Sequence, residues 1–199
     1  MIAGVLTSYV QQSVAARHVL EISVCAFAVG ELSRVRRVRP DASRVSLGAE
    51  ALFRVMFFGA VLLIPIGRVV APDATIGGGA SLFAVGAAVG WLGLLLRWWS
   101  FLTLGRYFTV VLMTTEDQPV VDSGPYRVVR HPGYTGLLLA LVGGNLMIGN
   151  WISTGSSVAL VLTPLIHRIR VEERALDALL GDRYRAFCVG RARLVPFVW

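Results

Sequence analysis

The chain has 199 residues, of which 55% are hydrophobic and only 16% charged, and its formal charge of +7 rests on nineteen basic residues that are all arginine. A soluble domain carries roughly a quarter charged residues, so composition argues against a solvated globular fold. The arginines lie between long uncharged runs and form no patch among soluble elements, which argues against nucleic-acid binding.

The first apolar run predicts a span from about Val14 to Leu32, with Arg17, His18 and Glu21 near its start. The first eight residues carry no positive charge, so this run reads as a span and not as a cleavable signal peptide. Cys25 within it reads as a small hydrophobe. Cys25 and Cys188 lie far apart and outside any metal-ligand spacing, so neither a metal site nor a disulfide framework is expected. A second span runs from about Leu47 to Ile66, interrupted only by Glu50 and Arg54. The third is the clearest: no charge falls between Asp73 and Arg97, long enough for a hydrocarbon core of about 30 Å. Its Gly86, Gly90 and Gly93 leave room for a neighbouring helix.

From His131 to His167 there is no Asp, Glu, Lys or Arg. One helix of that length would reach roughly 55 Å, too long for a single crossing. Gly149-Asn150-Trp151 supplies a turn, so the run divides into a tight hairpin of Tyr134–Ile148 and Trp151–Ile166. Gly136, Gly143 and Gly144 suit helix against helix. The predicted fold is all-α, a polytopic transmembrane helical bundle of five spans. It forms one membrane domain over 1–199, with three N-terminal spans in 1–103 and a core in 104–199.

The loop between the first two spans holds Arg34, Arg36, Arg37, Arg39 and Arg44, whereas the next loop holds only Arg68 and Asp73. The positive-inside bias then puts the arginine-rich loop in the cytoplasm, the N-terminus outside and the C-terminus inside. Arg106, Arg127, Arg130 and everything after Ile166 share the cytoplasmic side, where soluble metabolites are met.

Two cytoplasmic segments carry candidate chemistry. The first runs from Gly105-Arg106-Tyr107-Phe108-Thr109 to Tyr134. Ser123-Gly124-Pro125 reads as a turn, and Pro132 suits the first turn of the fourth span. His131 and Tyr134 then sit at a helix N-terminus, where free N–H groups with Arg127 and Arg130 can hold a carboxylate or phosphate. The bland alternative is a solvated arginine loop with interfacial tyrosines. In the second segment Ile169, Leu176 and Leu180 recur at helical spacing, so the fifth helix is predicted to continue beyond the lipid to Gly181, with a short helix holding Tyr184 and Phe187 after it. Glu172 and Glu173 point about 100° apart, so at most one easily faces an interior site. The competing reading pairs both with Arg168 and Arg170 on a wet face.

The string Gly124-Pro125-Tyr126-Arg127-x-x-Arg130-His131-Pro132-x-Tyr134-x-Gly136 resembles the signature of the isoprenylcysteine carboxyl methyltransferase family, membrane enzymes that use S-adenosyl-L-methionine. Glu172-Glu173-x-x-Leu176, Gly181-x-x-Tyr184-x-x-Phe187 and Arg193-x-x-Pro196 resemble its second half. The resemblance covers roughly the C-terminal half. It implies that the cofactor lies between the two segments, against Gly124, Tyr126, Arg130, His131 and Tyr134. Glu173, or otherwise Glu172, would hold its α-amino group, while Tyr184 and Arg193 close the site. Glu173 and Arg193 are the implied catalytic residues, Arg193 offering charge to an anionic acceptor.

What the resemblance implies is methyl transfer to a lipophilic acceptor that enters from the bilayer: the carboxylate of an isoprenylcysteine-like compound, another membrane lipid or a prenylated substrate. No obligate protein partner is evident. Five spans suit the shorter prokaryotic type, in the cell membrane. The first string also occurs in phospholipid N-methyltransferases and in NADPH-dependent sterol-type reductases. NADPH, with its 2′-phosphate and second nucleotide, asks for more polar surface than these segments offer. A non-catalytic membrane scaffold is the alternative of a different class.

Overall fold

The computed structural model describes residues 9–35, 43–44, 47–105, 113–114, 120–196 and 199. Among them the chain forms helices α1 (Tyr9–Gln12), α2 (Val14–Val35), α3 (Leu47–Val70), α4 (Gly79–Leu104), α5 (Pro132–Ile148), α6 (Trp151–Leu180) and α7 (Asp182–Cys188). A 3₁₀ turn spans Gly124–Arg127, and two-residue strands β1 (Ser43–Arg44) and β2 (Met113–Thr114) pair antiparallel. Arg36, Arg37 and Arg39 of the arginine loop lie outside the described residues, as do Arg106, Tyr107, Phe108 and Thr109.

Ala51–Val70, Gly79–Leu104 and Trp151–Leu180 are long and apolar enough to cross a bilayer. Their exposed side chains include Val55, Phe58, Leu62 and Ile66 on α3 and Leu92, Leu95, Trp99 and Leu102 on α4. A helix facing water would carry charge at such positions. Lipid is their solvent, and the protein is an integral membrane protein. Of the other two predicted spans, α5 has 17 residues, about 25 Å of helix. The other, α2, carries Arg17, Glu21 and Glu31 along its length.

Helices α4 and α5 meet backbone to backbone. Gly86, Gly90 and Gly93 line one side and Gly136 and Gly143 the other, and a Cβ at Gly143 would run into the backbone of Gly90 and Gly86. A Cβ at Gly136 would lie 2.7 Å from the Arg97 nitrogen, so only glycine permits this approach. Gly144 is different, with nothing near the position a Cβ would take. Helix rotation aims it away from the seam, which corrects its expected role. The predicted hairpin turn is present, yet α5 packs mainly along α4 and α6 mainly along α3, not tightly on each other.

The turn itself is firmly made. Gly149 ends α5 at φ 69°, ψ 41°, and Asn150 caps α6 by accepting from the Ser153 N–H at 2.9 Å. Asn150 also donates to the Ala71 carbonyl at 2.8 Å, and Trp151 N–H donates to Ala74. The α3–α4 and α5–α6 connections therefore share one end of the bundle. At the other end α6 continues past the hydrocarbon depth as predicted: its 30 residues stop at Gly181, where φ is 53°, and α7 follows.

Candidate functional site

The site forms where the start of α5 meets the polar end of α6. Gly124 has φ 56°, and a Cβ there would press on Thr103, so glycine opens the 3₁₀ turn. That turn buries Pro125 and Tyr126, and Tyr126 joins a cluster with Leu180, Tyr184 and Phe187. The chain then runs parallel to residues near the C-terminal end: Arg130 N–H donates to the Ala192 carbonyl at 2.8 Å, and His131 N–H to the Arg193 carbonyl at 3.0 Å. These two N–H groups, just before α5, are engaged by the protein itself. Pro132 begins α5 with His131 as its N-cap residue, and the His131 and Tyr134 rings stack at 5.6 Å.

Glu173 is the centre of the arrangement. It is buried, and three groups converge on it: Arg130 Nη1 donates to Oε1 at 2.8 Å, Arg193 Nε donates to Oε2 at 2.7 Å, and His131 Nε2 lies 3.4 Å from Oε1. Glu172 points to the same end of α5 by another route. The Tyr134 hydroxyl donates to its Oε2 at 2.9 Å and accepts from Arg168 Nε at 2.8 Å. The reading in which both glutamates pair with Arg168 and Arg170 on a wet face is overturned, because Arg168 is buried and turned to Tyr134 while Arg170 is exposed. Of the two glutamates Glu173 lines the cleft, while Glu172, leaving the helix about 100° away, turns to Tyr134.

On the polar side of Glu173 lies an open cleft of about 530 Å³, lined by Arg130, Arg170, Arg174, Asp177, Tyr184 and Arg193 among others. A drug-sized ligand needs a site of about that volume. Tyr184 is buried, and its hydroxyl has no hydrogen-bond partner among the described residues. Burial first, then the nearby Glu173 and Cys188, push that hydroxyl above the usual tyrosine range, so it remains a donor. An orphaned donor and a caged carboxylate facing one cleft suit a ligand with both a hydrogen-bond acceptor and a cationic group. On the other side of Glu173, Leu165, Ile169 and Leu194 pack with Phe53, Tyr134, Leu138 and Trp199 in an apolar cluster. Arg193 spans the two sides, its guanidinium 5.2 Å from the Trp199 ring.

All the residues expected from the sequence are therefore near one another. Arg130, Glu173, Tyr184 and Arg193 line the cleft. His131 reaches it only through Glu173, Tyr134 bonds Glu172 away from the lining, and the turn opened by Gly124 packs Tyr126 behind Tyr184. Sequence reasoning missed Arg168 as the partner of Tyr134, and it missed Phe53, over which the Arg168 guanidinium lies at 4.9 Å. Arg168 carries a signal in hindsight: it sits one helical turn before Glu172, where its side chain reaches the same neighbour.

Residues 87–178 match the isoprenylcysteine carboxyl methyltransferase family. Protein-S-isoprenylcysteine O-methyltransferase B of Arabidopsis thaliana is 34% identical over 109 residues, covering 54% of this chain and 55% of that protein. A probable protein-S-isoprenylcysteine O-methyltransferase of Oryza sativa subsp. indica is 33% identical, covering 57% of this chain and 61% of its own length. The chain spans a little over half the length of these curated relatives. The structure of a eukaryotic intramembrane Ras methyltransferase, an isoprenylcysteine carboxyl methyltransferase solved without a monobody, superposes with a TM-score of 0.57 at 23% identity. That match covers 73% of this chain and 52% of the other, and it shows a shared fold.

Proposed function

We propose that the chain, whose residues 87–178 match the isoprenylcysteine carboxyl methyltransferase family, belongs to that family and transfers a methyl group from S-adenosyl-L-methionine to the carboxylate of a lipophilic, isoprenylcysteine-like acceptor. The observation that carries this reading is the position of Glu173, between a polar cleft and an apolar cluster and within reach of two arginines and a histidine.

The bound cofactor would supply an electrophilic sulfonium methyl, whose C–S electron pair leaves with sulfur as the new O–C bond forms. The chain's own part is alignment and exclusion of water. Glu173 takes the cofactor's ammonium, and the free Tyr184 hydroxyl donates to one of its acceptor atoms. Arg193, with a side chain 33% exposed at the rim, offers a cation to the acceptor's carboxylate. An ionised carboxylate needs no general base, in keeping with a site built from cations and tyrosines. The apolar cluster of Phe53, Leu138, Leu165 and Trp199 gives the lipid chain a wall on the side away from the cleft. In this reading the cleft opens to the cytoplasm, the N-terminus is outside, and the acceptor arrives laterally from the bilayer.

The test is incubation of the purified protein in lipid vesicles with methyl-labelled S-adenosylmethionine and an isoprenylcysteine carboxylic acid, read by mass spectrometry. A labelled methyl ester supports the proposal. Label on phospholipid nitrogen would make the protein a phospholipid N-methyltransferase. Loss of NADPH absorbance with lipid enones, and no methyl transfer, would make it a reductase. Binding of neither S-adenosylmethionine nor its demethylated product would leave a scaffold.

A further inference from the structure

Arg97 is a charged side chain well inside α4, four positions after Gly93, which meets α5 at Gly136, and still short of the helix end at Leu104. It is 8% exposed. A guanidinium at such a depth is retained only where partners are supplied on all sides. Its partners come from two other helices. Arg97 Nε and Nη2 form a two-pronged bond to the carboxylate of Glu31 on α2, the latter at 2.8 Å, and Nη1 donates to the Gly133 carbonyl of α5 at 2.7 Å. The guanidinium also lies 4.7 Å over the Phe101 ring.

We infer that Arg97 is a positioning residue for the candidate site, held by Glu31 and fixing the first turn of α5 through the Gly133 carbonyl. Gly133 lies between the N-cap residue His131 and Tyr134, so the bond lands within the turn that aims both rings. Pro132 brings no N–H to that turn and Gly133 no side chain, which leaves the turn few anchors of its own. The Thr135 hydroxyl fastens it on the far side, donating to the Leu194 carbonyl at 2.7 Å, and Arg97 fastens it on the near side.

Glu31 explains why Arg97 keeps that direction. A planar guanidinium gripped by two carboxylate oxygens has one remaining edge, and the edge is aimed by the grip. The grip depends on close docking of α2: Gly30 lies directly under Trp98, and Trp91 Nε1 donates to Ser23 at 3.0 Å. Helix α2 lies before the family match, which begins at residue 87. The strut therefore gives the N-terminal part of the chain a place in the geometry of the site.

The inference rests on the methyltransferase reading only for the ligand used as a probe. The test exchanges the pair, Glu31→Arg with Arg97→Glu, and adds Arg97→Lys as a single variant. The exchanged pair can re-form the link between α2 and α4, but a carboxylate at 97 cannot donate to Gly133. The exchange is expected to return the melting temperature close to wild type. Amides of the first α5 turn should nevertheless exchange hydrogen about tenfold faster, and affinity for S-adenosylhomocysteine should fall about tenfold. Arg97→Lys, with a single ammonium and no fork, should change both readouts in the same direction. Wild-type exchange rates in the exchanged pair would overturn the inference and reduce Arg97 to a pin between α2 and α4. Where the exchanged pair does not fold, wild-type exchange rates in Arg97→Lys would do the same. If wild-type protein binds no S-adenosylhomocysteine, the methyltransferase reading fails, and the hydrogen-exchange result still decides the strut.

Discussion

The Arg193 Nε donates to Glu173 Oε2 at 2.7 Å, so a residue close to the end of the sequence faces the midpoint of the polar end of α6. Glu173 thereby collects partners from both segments that flank the α5–α6 pair. Replacing it with glutamine keeps its shape and removes the charge that Arg130 and Arg193 share. Glu173→Gln is expected to lower affinity for S-adenosylmethionine at least about tenfold, close to 1.4 kcal/mol. Glu172→Gln, which still accepts from Tyr134, should lose no more than about threefold. Side-by-side calorimetric titration checks the order, and a larger loss for Glu172→Gln would reverse the assignment.

Tyr134→Phe removes a hydroxyl that both accepts from Arg168 and donates to Glu172. Two buried or half-buried groups then lose a partner at once. The expected cost is about 1–3 kcal/mol of stability, read as a lower melting temperature in detergent. An unchanged melting temperature would mean that Arg168 and Glu172 re-pair directly.

Tyr184→Phe should behave in the opposite way. Its hydroxyl has no partner among the described residues, so phenylalanine is expected to leave stability unchanged or slightly raised while ligand affinity drops. Burial also pushes the pKa of Tyr126 above the usual tyrosine range, with Glu172 adding to it, as burial and Glu173 do for Tyr184. An unfolded tyrosine ionises near pH 10 and these folded ones do so only above that, so stability held by their neutral forms is intact below about pH 10 and declines as pH rises further. A melting series from neutral to alkaline pH reads this, and Phe at both positions should flatten the decline.

The seam between α4 and α5 separates two adjacent glycines. Gly143→Ala should cost several kcal/mol or prevent folding, since its Cβ would meet the backbone of α4. Gly144→Ala has open space and should gain about 0.5–1 kcal/mol from helix propensity. Thermal unfolding of the two variants in the same detergent distinguishes them.

The orientation is tested by labelling Trp151→Cys, an exposed position beside the α5–α6 turn, in a protein without Cys25 and Cys188. Modification of intact cells by an impermeant maleimide is expected. Labelling only after lysis would invert the topology.

Features written in local sequence were readable before any coordinates. Gly181 as the stop of α6, the short helix with Tyr184 and Phe187, and the turn at Gly149 all follow from single residues with strong backbone preferences. The candidate site residues were readable because two strings resembling a family signature contain them. What could not be read depends on rotation and distance. Nothing in the sequence says which of Gly143 and Gly144 faces α4, because a helix turned by one position presents the other. Glu31 and Arg97 lie 66 residues apart, and only docking of α2 on α4 makes them a pair. Glu172 seemed destined for a neighbouring arginine on its own helix; a tyrosine 38 residues earlier reached it first.

The parallel run of residues 129–131 beside 192–193 is drawn by main-chain atoms. A joint of that kind makes no use of the side chain at Ala192. Proline at 130 or 131 is another matter, because it would remove an N–H that the joint uses. The spacing of Arg130, His131 and Arg193 is thus insulated from change in the surface around them. A library randomised at the exposed Val189 and at 192 can vary the rim of the cleft without redrawing its centre, whereas Gly190, at φ 73°, has to stay glycine.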